Sequence, residues 1–325
     1  MSFYQGRRNF MNCVGAAGLS VLATSHALAQ QNVKKIVVGF PPGGSADSIG
    51  RLMANLMSDP STSFVVENKP GASSQIAADA VRRAVDGSSI FITPSSGLSL
   101  VPQLYKTPMF NSLEDFVPVG GICDHAFALA VTGNSPIKTV AEFIEAAKKN
   151  PNDANYATAG PGTGMHFLGT LFSQETGVKL THIPYKGTAP GLQDLIGGQI
   201  FSSFNPLPTM IDLHKAEKIR ILAVSSPARV SSLPNIPTFN ELGLPALEMV
   251  EWYGAFVSSK TPPAVLKTLQ QQLARALVKP EMAATAKKLE LDPKPIDPEI
   301  LKKLLESDYK RWTSVVRKTG ISLDN

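Results

Sequence analysis

Positions 39 to 51 read GFPPGGSADSIGR, a glycine pair between an apolar run and a segment with helical spacing. Backbone N–H groups of Gly43, Gly44, Ser45 and Ala46 can converge in such a turn, with the Ser45 hydroxyl beside them and the positive end of the next helix behind. A nest of this kind holds a carboxylate or phosphate without any formal positive charge. A plain turn explains the same letters equally well. Asp47 falls in the first helical turn, where a carboxylate caps the helix and would repel an anion if turned toward it. It is therefore read as structural, paired with Arg51 one turn later.

Positions 157 to 167, ATAGPGTGMHF, repeat the order of strand, glycine turn and helix start. Two nests facing each other across a gap would clamp a small dianion or amino acid from both sides and couple closure to occupancy. The glycines give G-x-G-x-G, not the dinucleotide spacing G-x-G-x-x-G, and no G-x-x-x-x-G-K-[ST] occurs. His166 opens an otherwise apolar helix and is read as a packing residue ahead of a ligand or base.

Other chemistries find less support. There is no G-x-S-x-G; Ser95 and Ser96 sit in TPSSGLS, and His26, His125, His182 and His214 are scattered. Cys123 has no activating neighbour in sequence and reads as an inert, buried thiol. Without H-x-x-x-H or C-x-x-C, neither a metal nor a cofactor is expected. Trp252 and Tyr253, with Tyr185 in HIPYKG, either line a pocket or fill a core. Lys186 reads as an exposed lysine before a partner for an acidic ligand.

The elements that must position these residues alternate. Runs such as KKIVVGF at 34 to 40 read as strands, and Asp47 to Met57 as a helix on the spacing of Ile49, Leu52, Met53 and Leu56. The same grammar recurs to about residue 225, with a loop expected at Ser95, Ser96 and Gly97. Thr139 with Glu142 marks a capped helix start, and Gly177 a helix stop. Three helices, from Pro263, Glu281 and Pro298, close the chain. The fold class is α/β. Two long extended stretches, 117 to 132 and 248 to 258, are candidate crossovers between lobes. They divide the chain into 30 to 124 plus 253 to 325 as one lobe and 125 to 252 as the other.

The chain has 325 residues, 43% of them hydrophobic and 18% charged, enough for two cores and unlike a disordered or coiled-coil protein. Lys plus Arg exceeds Asp plus Glu by 31 − 26 = 5, and bases and acids are mixed along the chain, so no nucleic-acid partner is expected. Residues 1 to 29 read as an export signal: Arg7 and Arg8, an uncharged stretch from Cys13 to Leu28, and cleavage after Ala29. Arg7-Arg8 followed by Asn9, Phe10 and Met11 looks like a twin-arginine motif, with a Sec signal as the alternative. After processing, Cys123 alone remains of the two cysteines, so no intrachain disulfide can form. No later window reaches the roughly 18 apolar residues of a membrane span, which points to a protein free in the periplasm.

Six ordered segments carry a resemblance: FPPGGSAD, VVENKPGASSQIAADAV, TAGPGTGMHFLG, IPYKGTAPGLQDLIGGQI, LPNIPTFNELGLP and WYGAFVSSKTPPAV. Together they resemble the Bug-type periplasmic solute-binding proteins of tripartite tricarboxylate transporters, over nearly the whole mature chain. The resemblance implies a type II periplasmic binding protein fold, two α/β lobes with a ligand cleft between them. It also implies a carboxylated small-molecule ligand delivered to membrane permease subunits by a monomer without catalysis. The ligand contacts it implies map onto Phe40, Pro42, Gly43, Gly44, Ser45 and Asp47 at the first turn and Ser95 and Ser96 after the third strand. In the second lobe they map onto Ala159, Gly162, Thr163, His166 and Asn205. Members commonly carry an acid at the position of Asn205, where it can receive an amino group. The amide here favours a plain carboxylic acid over an amino acid. Two alternatives stand beside delivery: presentation of the closed lobes to a sensor, and a periplasmic hydrolase or isomerase using His166 with Thr163 or Ser95.

Overall fold

The structure, a computed structural model, describes residues 32–323. The export signal read at 1 to 29 lies outside the described residues. Strands β1 (Asn32–Val38), β2 (Thr62–Asn68) and β3 (Ser89–Pro94) run parallel in the order β2-β1-β3, joined by helices α1 (Ser45–Met57) and α2 (Gln75–Arg83). The helical spacing of Ile49, Met53 and Leu56 packs one face of α1 against Ile36, Val38, Ile90 and Ile92 of the sheet.

After the short helix α3 (Ser95–Ser99), strand β4 (Phe116–Thr132) leads into α4 (Val140–Lys149), β5 (Asn155–Thr158) and α5 (Gly164–Thr176). Then come β6 (Thr181–Pro184), α6 (Thr188–Ile196), β7 (Ser202–Pro206), α7 (Ile211–Lys215) and β8 (Ile219–Val224). β5 pairs in parallel with β6 and β7, and a second core gathers Phe127, Phe143, Phe172 and Phe204. Thr139 and Glu142 form the expected reciprocal cap on α4, and Gly177, at φ 67°, ends α5.

One strand serves both sheets. Residues 116–126 of β4 pair with β9 (Val250–Ser258), whereas residues 127–132 pair with β7 and β8. β9 also pairs antiparallel with β3, so the chain returns to the first sheet through it. Helices α8 (Pro263–Leu277), α9 (Pro280–Leu289) and α10 (Pro298–Thr319) complete the first lobe. From α10, Trp312 reaches the second lobe, its ring 5.3 Å from that of Phe167 in α5, and Leu100 and Leu104 join this apolar cluster.

One local expectation changes. Ser95 to Ser99 is a helical turn, not a loop; all five residues are buried, Pro94 supplies an extended N-cap, and the Ser99 hydroxyl bonds the Ser95 carbonyl. Burial among neighbouring elements outweighs the weak helix preference of a serine-rich segment. Strand β10 (Asp292–Ile296, DPKPI) carries two prolines in five residues, a composition that ordinarily keeps a segment out of a central strand. It lies on β4 as an edge strand with its register slipping between Pro293 and Ile296, an arrangement that tolerates the missing N–H groups.

Candidate functional site

The carboxyl ends of β1, β3, β5 and β7 face a gap between the two lobes, the usual place for a ligand in open α/β sheets. A cavity lies there. From the first lobe it is lined by Phe40, Pro41, Gly44, Ser45, Ala46, Pro94, Ser96 and Tyr253, and Glu251 lines it from the start of the crossover strand β9. From the second come Ala159, Thr163, Met165, Thr188 and Pro206.

Three helices of nine or more residues begin at this cavity. α1 starts at Ser45, α5 follows its N-cap Thr163, and α6 starts at Thr188. The leading N–H groups of a helix have no partner within it, and each N-terminus carries about half a positive charge. Among the described residues no Lys or Arg lines the cavity, so the positive field they give it comes from main chain alone. The sequence pointed to α1 and α5; α6 is added by the folding of IPYKGTAPG, whose Gly187 has φ 98° and abuts Pro41 of the opposite lobe.

Each glycine turn is held by a side chain four residues on. The Gly43 N–H donates to Asp47 Oδ2 at 3.1 Å, and Arg51 Nε and Asn68 Nδ2 bond the same carboxylate. Burial opposes ionisation of Asp47, but these hydrogen bonds outweigh it and hold its carboxyl below the usual range. Asp47 is buried and absent from the cavity wall. The Ser45 hydroxyl is bonded to Tyr253 Oη at 2.9 Å, which leaves the Gly44, Ser45 and Ala46 amides as the donors at this turn.

In the second turn, the Gly162 N–H donates to His166 Nδ1 at 3.1 Å, and the Thr163 hydroxyl donates to the Gly160 carbonyl. The His166 ring stacks on His182 with centroids 3.9 Å apart, and burial pushes its pKa down to about 4. His166 therefore shapes the turn beside the cavity wall. Gly162 is buried against Leu104 and Leu323, and Pro42 is exposed next to the first turn. Asn205 is fully buried in β7, its amide group donating to Ser203 Oγ and its Oδ1 without a partner. Ser95 reaches Glu251 Oε1 at 3.5 Å but does not line the cavity.

Of the site residues read from sequence, Phe40, Gly44, Ser45, Ser96, Ala159 and Thr163 share the cavity wall. Sequence reasoning passed over Glu251, Thr188, Met165 and Pro206. Glu251 had one signal: in EMVEWYG it stands two residues from Tyr253, which puts both on one face of β9 and Trp252 on the other. Trp252 accordingly packs near Phe256 and donates from Nε1 to Asp308 at 2.8 Å, away from the cavity. Lys186 is exposed at a neighbouring opening of the gap, beside Tyr185 and Gly71. Cys123 is buried, and burial raises its thiol pKa.

Two α/β lobes joined through long strands, with helix starts converging on the gap at the strands' carboxyl ends, define a periplasmic solute-binding protein of the type II fold. The chain belongs to the tripartite tricarboxylate transporter receptor family, whose model matches residues 49–321. It is 30% identical over 321 residues to a protein of Pseudomonas sp. strain P51 encoded in the tcbD-tcbE intergenic region, covering 96% of this chain and 94% of that one. The periplasmic binding protein BugD is similar in structure, with a TM-score of 0.85, 32% identity, and coverage of 89% of this chain and 98% of that one. The Rpa4515 protein of R. palustris, solved with adipate, gives a TM-score of 0.84 at 30% identity over 89% of this chain and 98% of that one.

Proposed function

We propose that this protein captures a small carboxylic acid between its lobes in the periplasm and hands it to the membrane subunits of a tripartite transporter. One observation carries the reading: three helix N-termini, drawn from both lobes, meet at one cavity that no Lys or Arg among the described residues lines. Donors of this kind suit an anion small enough to touch both lobes at once, so that occupancy favours closure. The adipate held by the R. palustris relative is such a molecule. The same helix ends repel an ammonium group, which favours a plain carboxylic acid over an amino acid.

The remaining assignments go with this reading. Residues 30 to 124 and 253 to 325 form one lobe and 125 to 252 the other, with Gly44, Ser45, Ser96, Ala159 and Thr163 in contact with ligand. The protein acts as a monomer without catalysis, after export on a twin-arginine signal. The absence of turnover is supported by His166 Nδ1 being occupied by the Gly162 N–H and by the Thr163 hydroxyl being turned to Gly160.

A thermal-shift screen with adipate, malate, citrate, benzoate and glutamate tests the capture. A binding acid at about one hundred times its Kd should add about 2.7 kcal/mol of stability. A melting temperature unmoved by every acid overturns the reading.

A further inference from the structure

Among the described residues, Glu251 is the one acid on the cavity wall, and no Lys, Arg or His lines that wall to offset it. Its side chain is 7% exposed. Oε1 accepts the Ser96 N–H at 3.0 Å and faces the Ser95 hydroxyl at 3.5 Å, both from α3. From β4, His125 Nε2 stands 3.7 Å from Oε2, too far for a hydrogen bond. Burial pushes that imidazole down to about 3, so His125 is neutral and brings no charge. On β9 itself the neighbour facing the cavity is Tyr253, a neutral phenol bonded to Ser45. From α10, Asp308 adds a second negative charge nearby, although Trp252 Nε1 and Arg311 engage it. A buried carboxylate therefore sits among helix starts that also serve an incoming anion, with no cationic side chain among the described residues between them.

Two like charges in one water-poor site cannot both stay ionised cheaply; one takes up a proton. Building on the capture of a carboxylic acid, we propose that the cleft binds its ligand together with one proton, which Glu251 carries as a hydrogen-bond donor toward the ligand carboxylate. Oε1 remains the acceptor for Ser96, and the proton, drawn from solvent, sits on Oε2. In the free protein, burial already pushes Glu251 up to about 7, against the hydrogen bonds from Ser96 and with Asp308 adding to the rise. The arriving anion moves it further up. An amine-bearing ligand predicts the reverse, because an ammonium beside Glu251 would favour the carboxylate and release the proton.

The test is calorimetry of adipate and of malate binding to the full mature chain between about pH 5.5 and 8.5, in buffers of differing ionisation heat. Affinity should be flat at low pH and fall by up to about tenfold per unit once free Glu251 has lost its proton, with up to one proton taken up per ligand. Glu251→Gln, a neutral side chain that keeps both an acceptor and a donor, should bind with little pH dependence and without proton uptake. A flat wild-type profile, an affinity that rises with pH, or an unchanged slope in Glu251→Gln overturns the proposal. The wild-type proton count decides the matter even where the variant fails to fold. If neither acid binds at any pH, the capture reading fails instead. The difference infrared spectrum of the free wild type and Glu251→Gln then decides the state of the carboxyl alone. A protonated carboxyl band near pH 6 that vanishes by about pH 8.5 is the expected result, and its absence refutes the assignment.

Discussion

The main-chain N–H of Gly162 is held by Nδ1 of His166 at 3.1 Å. The other lobe solves the same problem with Gly43 and Asp47, again four residues apart and at 3.1 Å. Both glycines have positive φ, 91° and 72°, and both turns lead directly into the helices whose first amides face the cavity. The side chains spend one amide of each turn on rigidity and leave the following ones pointing at the gap. An anchored turn loses little entropy on binding, which raises affinity without an added contact.

His166→Ala removes the acceptor for Gly162 and the ring stacked on His182. It should lower stability by about 1–2 kcal/mol, read from urea unfolding, and weaken acid binding without abolishing it. Equal stability in the variant would show that the turn does not depend on the imidazole.

Acid should destabilise this region. His166 and His182 have folded pKa values pushed by burial to about 4 and about 3, below the ordinary 6.5, so the unfolded chain takes up protons first. Their contribution is whole above about pH 6.5 and is lost as pH falls toward 4. Unfolding curves of the wild type should show that loss, and His182→Gln should reduce it; identical pH profiles would contradict it.

Gly44→Val separates the turn from the fold. Gly44 has φ −91°, and a Cβ there meets nothing closer than Thr188 Oγ1 at 3.7 Å, so a branched side chain fits the free protein but fills the gap between α1 and α6. The free melting temperature should stay near wild type while the shift produced by a binding acid disappears. Gly43→Val, at φ 91°, should instead lose roughly 1–2 kcal/mol of stability.

Ser73 Oγ donates to the Pro161 carbonyl at 2.7 Å, a bond between the lobes that exists only when they are together. Ser73→Ala should leave the unfolding free energy of the first lobe intact and speed ligand release by roughly fivefold to tenfold, measured by stopped flow. Unchanged release would mean that this bond plays no part in holding the lobes closed.

Much of this architecture is legible in the letters because the elements are strongly periodic. Ile49, Met53 and Leu56 announce a helix, Thr139 with Glu142 announces its cap, and glycines mark the turns. What was hidden depends on neighbours distant in sequence. Ser95 to Ser99 becomes helical only because its surroundings bury it, and DPKPI becomes a strand only because β4 offers an edge. Glu251 was passed over for the same reason: nothing in its own extended stretch shows that β4, α3 and α10 close around it. His166 could be read as packing, but not that its partner is the main chain of the turn before it.

That no basic side chain among the described residues lines the cavity has an evolutionary consequence. Peptide groups are present whatever the sequence, so substitutions at Phe40, Met165 or Pro206 can reshape the space available to a substrate's hydrocarbon portion while its acidic end stays gripped. Such a scaffold can diversify across many metabolites by changing only the upholstery of its walls.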